Sequence, residues 1–387
     1  MKHRVVRLGQ VVQINPSTKA TGSADDLVAF LAMADITEEG RVASVQQRPL
    51  SEVQKGYTVF QAGDVLLAKI TPCFENGKAA LVESLPTQLG FGSTEFHVLR
   101  PTKEIVPKFL FHLVWNQNFR RLGASRMTGS AGQKRVPAAF LTDYEFLLPS
   151  PDEQQRIATI LDKADSLRRR RREAIRLADE LLKAVFFERF AAKTRSRVLT
   201  DYCDFLAGFA FKSDQYIEPR DGVRLLRGIN VGIDRFEWGD SAGYPLGAVS
   251  DLAKYRLEEG DVVLAMDRPW ISTGLKCAVV DERVAGSYLV QRVARLRPKQ
   301  QGMSAFIMNC LCGNDFKSHC RITETTIPHI SPKDFATFPV PTATDSELHA
   351  FSEIATRIQR VAIKAGLAAT STDELTSSLQ ATIFNMH

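Results

Sequence analysis

The stretch that most constrains this chain is residues 150–190. It opens on a helix start: Ser150 can cap free N–H groups, Pro151 suits the first helical position, and Glu153 completes a capping box. Apolar positions then recur three and four apart at Ile157, Ile160, Ala164, Leu167, Ala174, Ala178, Leu181 and Val185, and Arg171 is the break in the row. A seam of about four heptads belongs to a long helix that pairs with another helix.

The partner is in the same chain. Thr344 and Glu347 repeat the capping box, and Phe351, Ile354, Ile358, Val361, Ala365 and Leu375 repeat the seam at a constant offset from the first. The segments before the helices also match. Residues 62–82 resemble residues 259–280, so that Gly63 meets Gly260, Pro72 meets Pro269 and Gly77 meets Gly274, while Leu-Arg-Pro at 99–101 returns at 296–298. Self-similarity at a fixed spacing is an internal duplication. The expected fold class is α+β: mixed globular units at 1–149 and 196–341, and two long helices, 150–195 and 342–387, forming an antiparallel coiled coil about a pseudo-two-fold axis.

At 387 residues the chain is long enough for two such cores. No apolar run approaches the ~20 residues needed to cross a membrane, and the first residues lack a signal-peptide core, so a cytoplasmic protein without membrane contact is expected. Cys310, Cys312, His319 and Cys320 suggest metal ligands, but no second Cys-x-x-Cys pair supports them, and buried thiols on a helix are the better reading. The net charge of +6 permits a polyanionic partner, and its distribution is uneven. Residues 1–197 are basic, whereas residues 198–343 hold 17 Lys/Arg against 18 Asp/Glu.

Within the first unit, residues 64–69 and 96–99 read as buried strands, and 107–122 as one helix with Phe109, Leu110, Leu113 and Val114 inward. A glycine- and serine-rich loop follows at 123–135. Flexible backbone carrying Arg126, Gln133, Lys134 and Arg135, next to Arg120 and Arg121 and near Lys69 and Lys78, can follow phosphates and reach base edges. The matching candidates in the second unit are Arg227, Arg268, Trp270, Lys276, Arg321 and His329. Asp267-Arg268-Pro269-Trp270 looks like an amino-methyltransferase motif with its first proline replaced by Arg268. With no methyl-donor glycine motif upstream it reads as a loop. Trp115 and Trp238 read as packing residues.

No Ser-His-Asp order, paired carboxylates or metal-binding histidine cluster argues for chemistry by this chain alone. The five arginines 168–172 cannot share one helix face, and Arg171 falls in the seam, where Ala365 and Gly366 on an antiparallel partner would let its stem pass to water. The others form a solvated face or a docking surface.

Over its whole length the chain resembles the specificity subunits of type I restriction-modification systems. The residues that carry the likeness are Phe146-Leu147-Leu148-Pro149 running into Asp152-Glu153-Gln154-Gln155-Arg156-Ile157, together with the duplicated domain–helix order. The second junction departs, with Leu348 and His349 in place of Gln-Gln. The resemblance implies two target recognition domains, each reading half of a split, asymmetric sequence in double-stranded DNA. It also implies that the helices space them and carry two methyltransferase (modification) subunits, joined by restriction/translocase subunits. No cofactor is expected on this chain; S-adenosylmethionine, ATP and Mg would be used by the partners, for adenine-N6 methylation and ATP-dependent cleavage. A helix of about 36 residues spans roughly 54 Å, enough to separate two readers by a turn or more of duplex. The alternatives are a methyltransferase-only system without a restriction motor, a methyltransferase fused to its own reader, and a protein scaffold that reads no DNA.

Overall fold

The computed structural model describes residues 4–19, 22–130, 132–271, 274–320 and 329–384; beyond Gly366 the described side chains are those of Thr376, Ser378, Gln380, Ile383 and Phe384. The chain divides into two compact units, residues 1–172 with 367–387, and residues 173–366. Each unit therefore holds one globular part and half of each long helix.

In the first unit a four-stranded antiparallel sheet runs in the order Val12–Ile14, Phe96–Pro101, Val65–Ala68, Ala79–Leu81. The continuous apolar runs of its inner strands are buried on both faces, between a second sheet on one side and the helix Pro107–Trp115 on the other. In that second sheet Leu27–Leu31 lies parallel to Gly90–Gly92. The second unit repeats the plan. Its sheet runs Cys203–Ala207, Val293–Pro298, Val262–Ala265, Cys277–Val279, and a smaller sheet again carries one parallel pair, Val223–Leu226 with Tyr288–Leu289. The register repeats as well: Val65 faces Leu99, and Val262 faces Leu296.

The same ion pair anchors both sheets. Arg100 forks onto Asp64 at 2.8 Å through both Nε and Nη2, and Arg297 forks onto Asp261 at 2.8 and 2.9 Å. Each buried aspartate also accepts a backbone N–H three residues earlier, from Gln61 and Glu258. A buried carboxylate is tolerable when its oxygens are filled by a planar guanidinium and a backbone donor.

Two sequence expectations change. The single helix expected at 107–122 is two, Pro107–Trp115 and Gln117–Ser125, because Asn116 adopts extended backbone and its side-chain oxygen accepts from Asn118 and Phe119 N–H. An asparagine competes with the helix for its own backbone and makes a better cap than an interior residue. Gly313 breaks the second unit's helix at the matching place.

The long helices are Pro151–Phe190 and Asp345–Phe384, and their buried positions include Ile157, Ala178 and Phe351 of the expected seam together with residues beside it. In the first unit Gln154, Ile157, Ala158, Leu161 and Asp165 are buried, while Ile160 and Leu167 are 41 % and 46 % exposed and Ala164 and Arg171 are half-buried. Ile157, Ala158 and Leu161 join Phe109, Phe146 and Phe384 in one core. In the second unit Phe186 and Phe190 meet Phe351 with ring centroids 5.7 and 5.5 Å apart, and Leu348 and Ala355 are buried beside them. Ile354, Ile358 and Ala365 are half-buried there, whereas Leu181 and Val361 are exposed. The Leu375 side chain lies outside those described. The first helix carries two apolar stripes at helical spacing, and the one that each globular core covers is the one that is buried. A carboxylate, Asp165, sits on that stripe because Arg168 donates to it at 2.9 Å.

Candidate nucleic-acid interface

The same backbone frame recurs at one end of the sheet in each unit. In the first, Val136 N–H donates to Lys69 O and Lys69 N–H to Glu95 O, both at 2.9 Å. In the second, Ile330 N–H donates to Met266 O at 2.9 Å and Met266 N–H to Arg292 O at 2.8 Å. Beside these ladders Ile70 bridges Arg135, and Asp267 bridges His329. Lys69 and Arg135 in the first unit, and Arg268 and His329 in the second, thus lie at one matching end of each sheet, where strands Val65–Ala68 and Val262–Ala265 run out.

Side chains at this end fall into two groups. Arg121, Arg126, Gln133, Lys134 and Arg268 are exposed, and Arg268 holds a positive φ of 44°, which a non-glycine residue keeps only under constraint. The others are engaged by the protein. Arg120, half-buried, donates to Glu75 O at 2.8 Å and Trp115 O at 3.2 Å, while Trp115 Nε1 donates to Gly77 O at 3.0 Å; together they clamp the loop 70–78. Burial pushes the Arg120 guanidinium below its ordinary pKa. Lys78 donates to Met33 O at 3.1 Å and Lys276 to Gly228 O at 2.7 Å, each tying a short 3-10 turn, Met33–Asp35 or Gly228–Asn230.

Arg227 donates to the Asp240 backbone O and carboxylate at 2.6 and 2.8 Å. Trp270 packs on Phe316, ring centroids 6.1 Å apart. Lys69 is half-buried beside Glu95 and helps depress its pKa, after Arg135. Arg321 lies outside the described residues. Trp115 stacks on Phe111 at 5.5 Å, and Trp238 carries the Arg224 guanidinium 4.2 Å from its ring centre.

Sequence reasoning missed three partners that the fold supplies. Glu95 takes the Arg135 guanidinium in a fork at 2.7–2.9 Å, and Arg292 and His329 donate to Asp267 at 2.5 and 2.6 Å. His112 Nε2 donates to Asp162 at 2.8 Å, and Lys108 to the same carboxylate at 3.0 Å, fastening helix Pro107–Trp115 to the first long helix. His112 and Lys108 together hold the Asp162 carboxyl below its ordinary range. The glutamates and aspartates of these pairs stand far in sequence from their bases, so no local pattern marks them. Among the described residues no three His, Cys, Asp or Glu side chains gather as a metal site, and Cys310 is buried in the core around Phe306. No helix among them is long and apolar enough to cross a membrane.

Comparison with known proteins converges on one class. Residues 2–177 match the type I restriction modification DNA specificity domain. The EcoAI type I restriction enzyme specificity subunit of Escherichia coli is 27% identical over 436 positions, covering 86% of this chain and 74% of the relative. The EcoEI specificity subunit of the same species is 39% identical over 160 residues, 41% of this chain and 27% of the relative. In fold, the chain resembles the type I S subunit from M. genitalium at a TM-score of 0.63 and 12% identity, over 100% of this chain and 97% of that one. A chain from a type I restriction-modification complex gives 0.52 at 19% identity, over 99% and 98%. Residues 2–177 thus match the type I restriction modification DNA specificity domain, and the chain as a whole shares its fold with solved type I specificity subunits.

Proposed function

We propose that this chain is the sequence-reading, non-catalytic subunit of a type I restriction-modification complex. Each globular unit reads one half of a split, asymmetric target in double-stranded DNA. The single observation that carries this reading is that two copies of one backbone frame expose different polar side chains at the same end of the sheet: Arg126, Gln133 and Lys134 on the loop 123–135 in the first, and Arg268 on the loop after strand Val262–Ala265 in the second. One scaffold with two sets of exposed polar residues suits two different half-sites.

The long helices pair as an antiparallel coiled coil, set the spacing of the half-sites and carry two modification subunits, with restriction/translocase subunits completing the complex. Methyl transfer with S-adenosylmethionine, and cleavage with ATP and Mg, belong to those partners. The test is to map methylated adenines in cells that express this chain with its modification subunits. A bipartite, asymmetric motif is expected, and one heptad inserted into both long helices should change the spacer length and leave both half-sites as they were. Altered half-sites with an unchanged spacer would refute the ruler.

A further inference from the structure

An ion pair sits at the root of the loop 123–135 and at the matching root in the second unit, and the two copies build it from different residues. In the first unit the acid is Glu95, just ahead of strand Phe96–Pro101, and the base is Arg135 on the loop. In the second, Arg292 stands where Glu95 stood and His329 where Arg135 stood; both donate to Asp267, which replaces Ile70. Charge sign changes at the strand position alone; the loop position carries a base in both copies, and the acid moves from Glu95 to Asp267 while the connection survives.

The hydrogen bonds of Arg135 agree. Its Nε and Nη2 are both on Glu95, and Nη1 donates to Gln133 O at 3.1 Å. Its backbone exchanges two bonds with Thr128, at 2.8 and 3.0 Å, closing the loop that displays Gln133 and Lys134. Gly129 turns that loop at φ +123°, where a Cβ would lie 2.9 Å from Gln133 O. Each of the three guanidinium nitrogens of Arg135 thus has a partner within the protein.

We infer that Glu95 is a positioning residue for sequence reading: it holds Arg135 as a brace that sets Gln133 and Lys134 in register with the first half-site; at the matching root of the second unit Asp267 holds Arg292 and His329. This inference rests on the DNA-reading role proposed above and deepens it. The Glu95–Arg135 pair is partly open to solvent, with side chains 25 % and 42 % exposed, so its effect lies in the loop's geometry and little in global stability.

The test uses the full-length chain with its modification subunits, binding DNA in which only the first half-site varies. Glu95→Gln and Arg135→Gln should each weaken selective binding by about tenfold, the size of one lost base contact, with the salt slope and melting temperature unchanged. The double variant should be no worse than either single one. The exchanged pair, Glu95→Arg with Arg135→Glu, keeps the connection with its charges reversed and should restore selectivity to within about twofold. The brace is overturned if Glu95→Gln leaves binding unchanged or tightens it, if Arg135→Gln lowers the salt slope by about one, or if the exchanged pair binds no better than the single variants. Failure of the unaltered chain to prefer any sequence would instead overturn the DNA-reading role.

Discussion

The two units begin their long helices on the same hydroxyl-x-x-Glu sequence, Ser150 to Glu153 and Thr344 to Glu347, but fasten them differently. In the first, the buried Gln154 accepts from Val106 N–H at 2.8 Å and donates to Glu104 O and Pro149 O, both at 3.0 Å. In the second, the matching residue is Leu348, buried in the core with Phe306 and Phe351. The polar latch ties three backbone groups of two segments to the helix, whereas the leucine only fills space. A duplicated frame therefore tolerates replacement of a hydrogen-bonding plug by an apolar one, provided the backbone groups around it change partners too.

The largest effect should come from exchanging these plugs. Gln154→Leu strands one N–H and two carbonyls and should cost about 2–3 kcal/mol. Leu348→Gln buries an amide among phenylalanines and should cost about the same. Urea titration of the full chain measures both. If either exchange proves neutral, the two junctions are interchangeable and the contrast between them fails.

The next comparison is electrostatic. The first unit keeps Arg126 and Lys134 exposed on a basic background, whereas residues 198–343 are nearly neutral. Neutralising Arg126 or Lys134 should flatten the salt dependence of binding to the first half-site by about 0.9 per charge. Arg120→Gln should leave that slope alone and loosen the loop 70–78, since its guanidinium is spent on Glu75 and Trp115 carbonyls. Titrations on DNA with one half-site scrambled separate the units. Equal slopes for the two half-sites would remove the charge contrast.

What could be read in the sequence follows a physical line. The long helices and the duplication were visible because three-and-four spacing and a fixed offset are properties of the chain itself. The phase of the buried stripe was not. Ile157 begins two apolar rows, one through Ile160 and Leu167 and one through Leu161, and only the globular core chooses between them. Asn116 is a legible break, an asparagine inside an apolar helix, whose preference for capping outweighs the apolar spacing around it. Among the basic residues, composition located the loops but could not tell an exposed Lys134 from an Arg135 held by Glu95, whose partner stands 40 positions away.

The smallest expected effect concerns the second capping box. Glu347 accepts from Thr344 N–H at 2.9 Å and also takes the ammonium of Lys193, which follows the first long helix; Lys193 is the main cause that holds its carboxyl down to about 2. In the first unit Glu153 instead faces Arg156 on its own helix at 3.5 Å. Between an ordinary glutamate value of 4.5 and about 2, the unfolded chain takes up a proton at Glu347 that the folded chain does not. The stability this group contributes is thus present above pH 4.5 and lost as the pH falls to 2. Glu347→Gln should remove that part of the acid dependence, seen as a shallower fall of melting temperature over this window. Lys193→Gln should flatten it as well, because the lysine and not the cap is the larger cause. If Lys193→Gln leaves the curve as it was, the cap alone governs the response, and the second junction's cross-tie adds nothing to the first unit's plan.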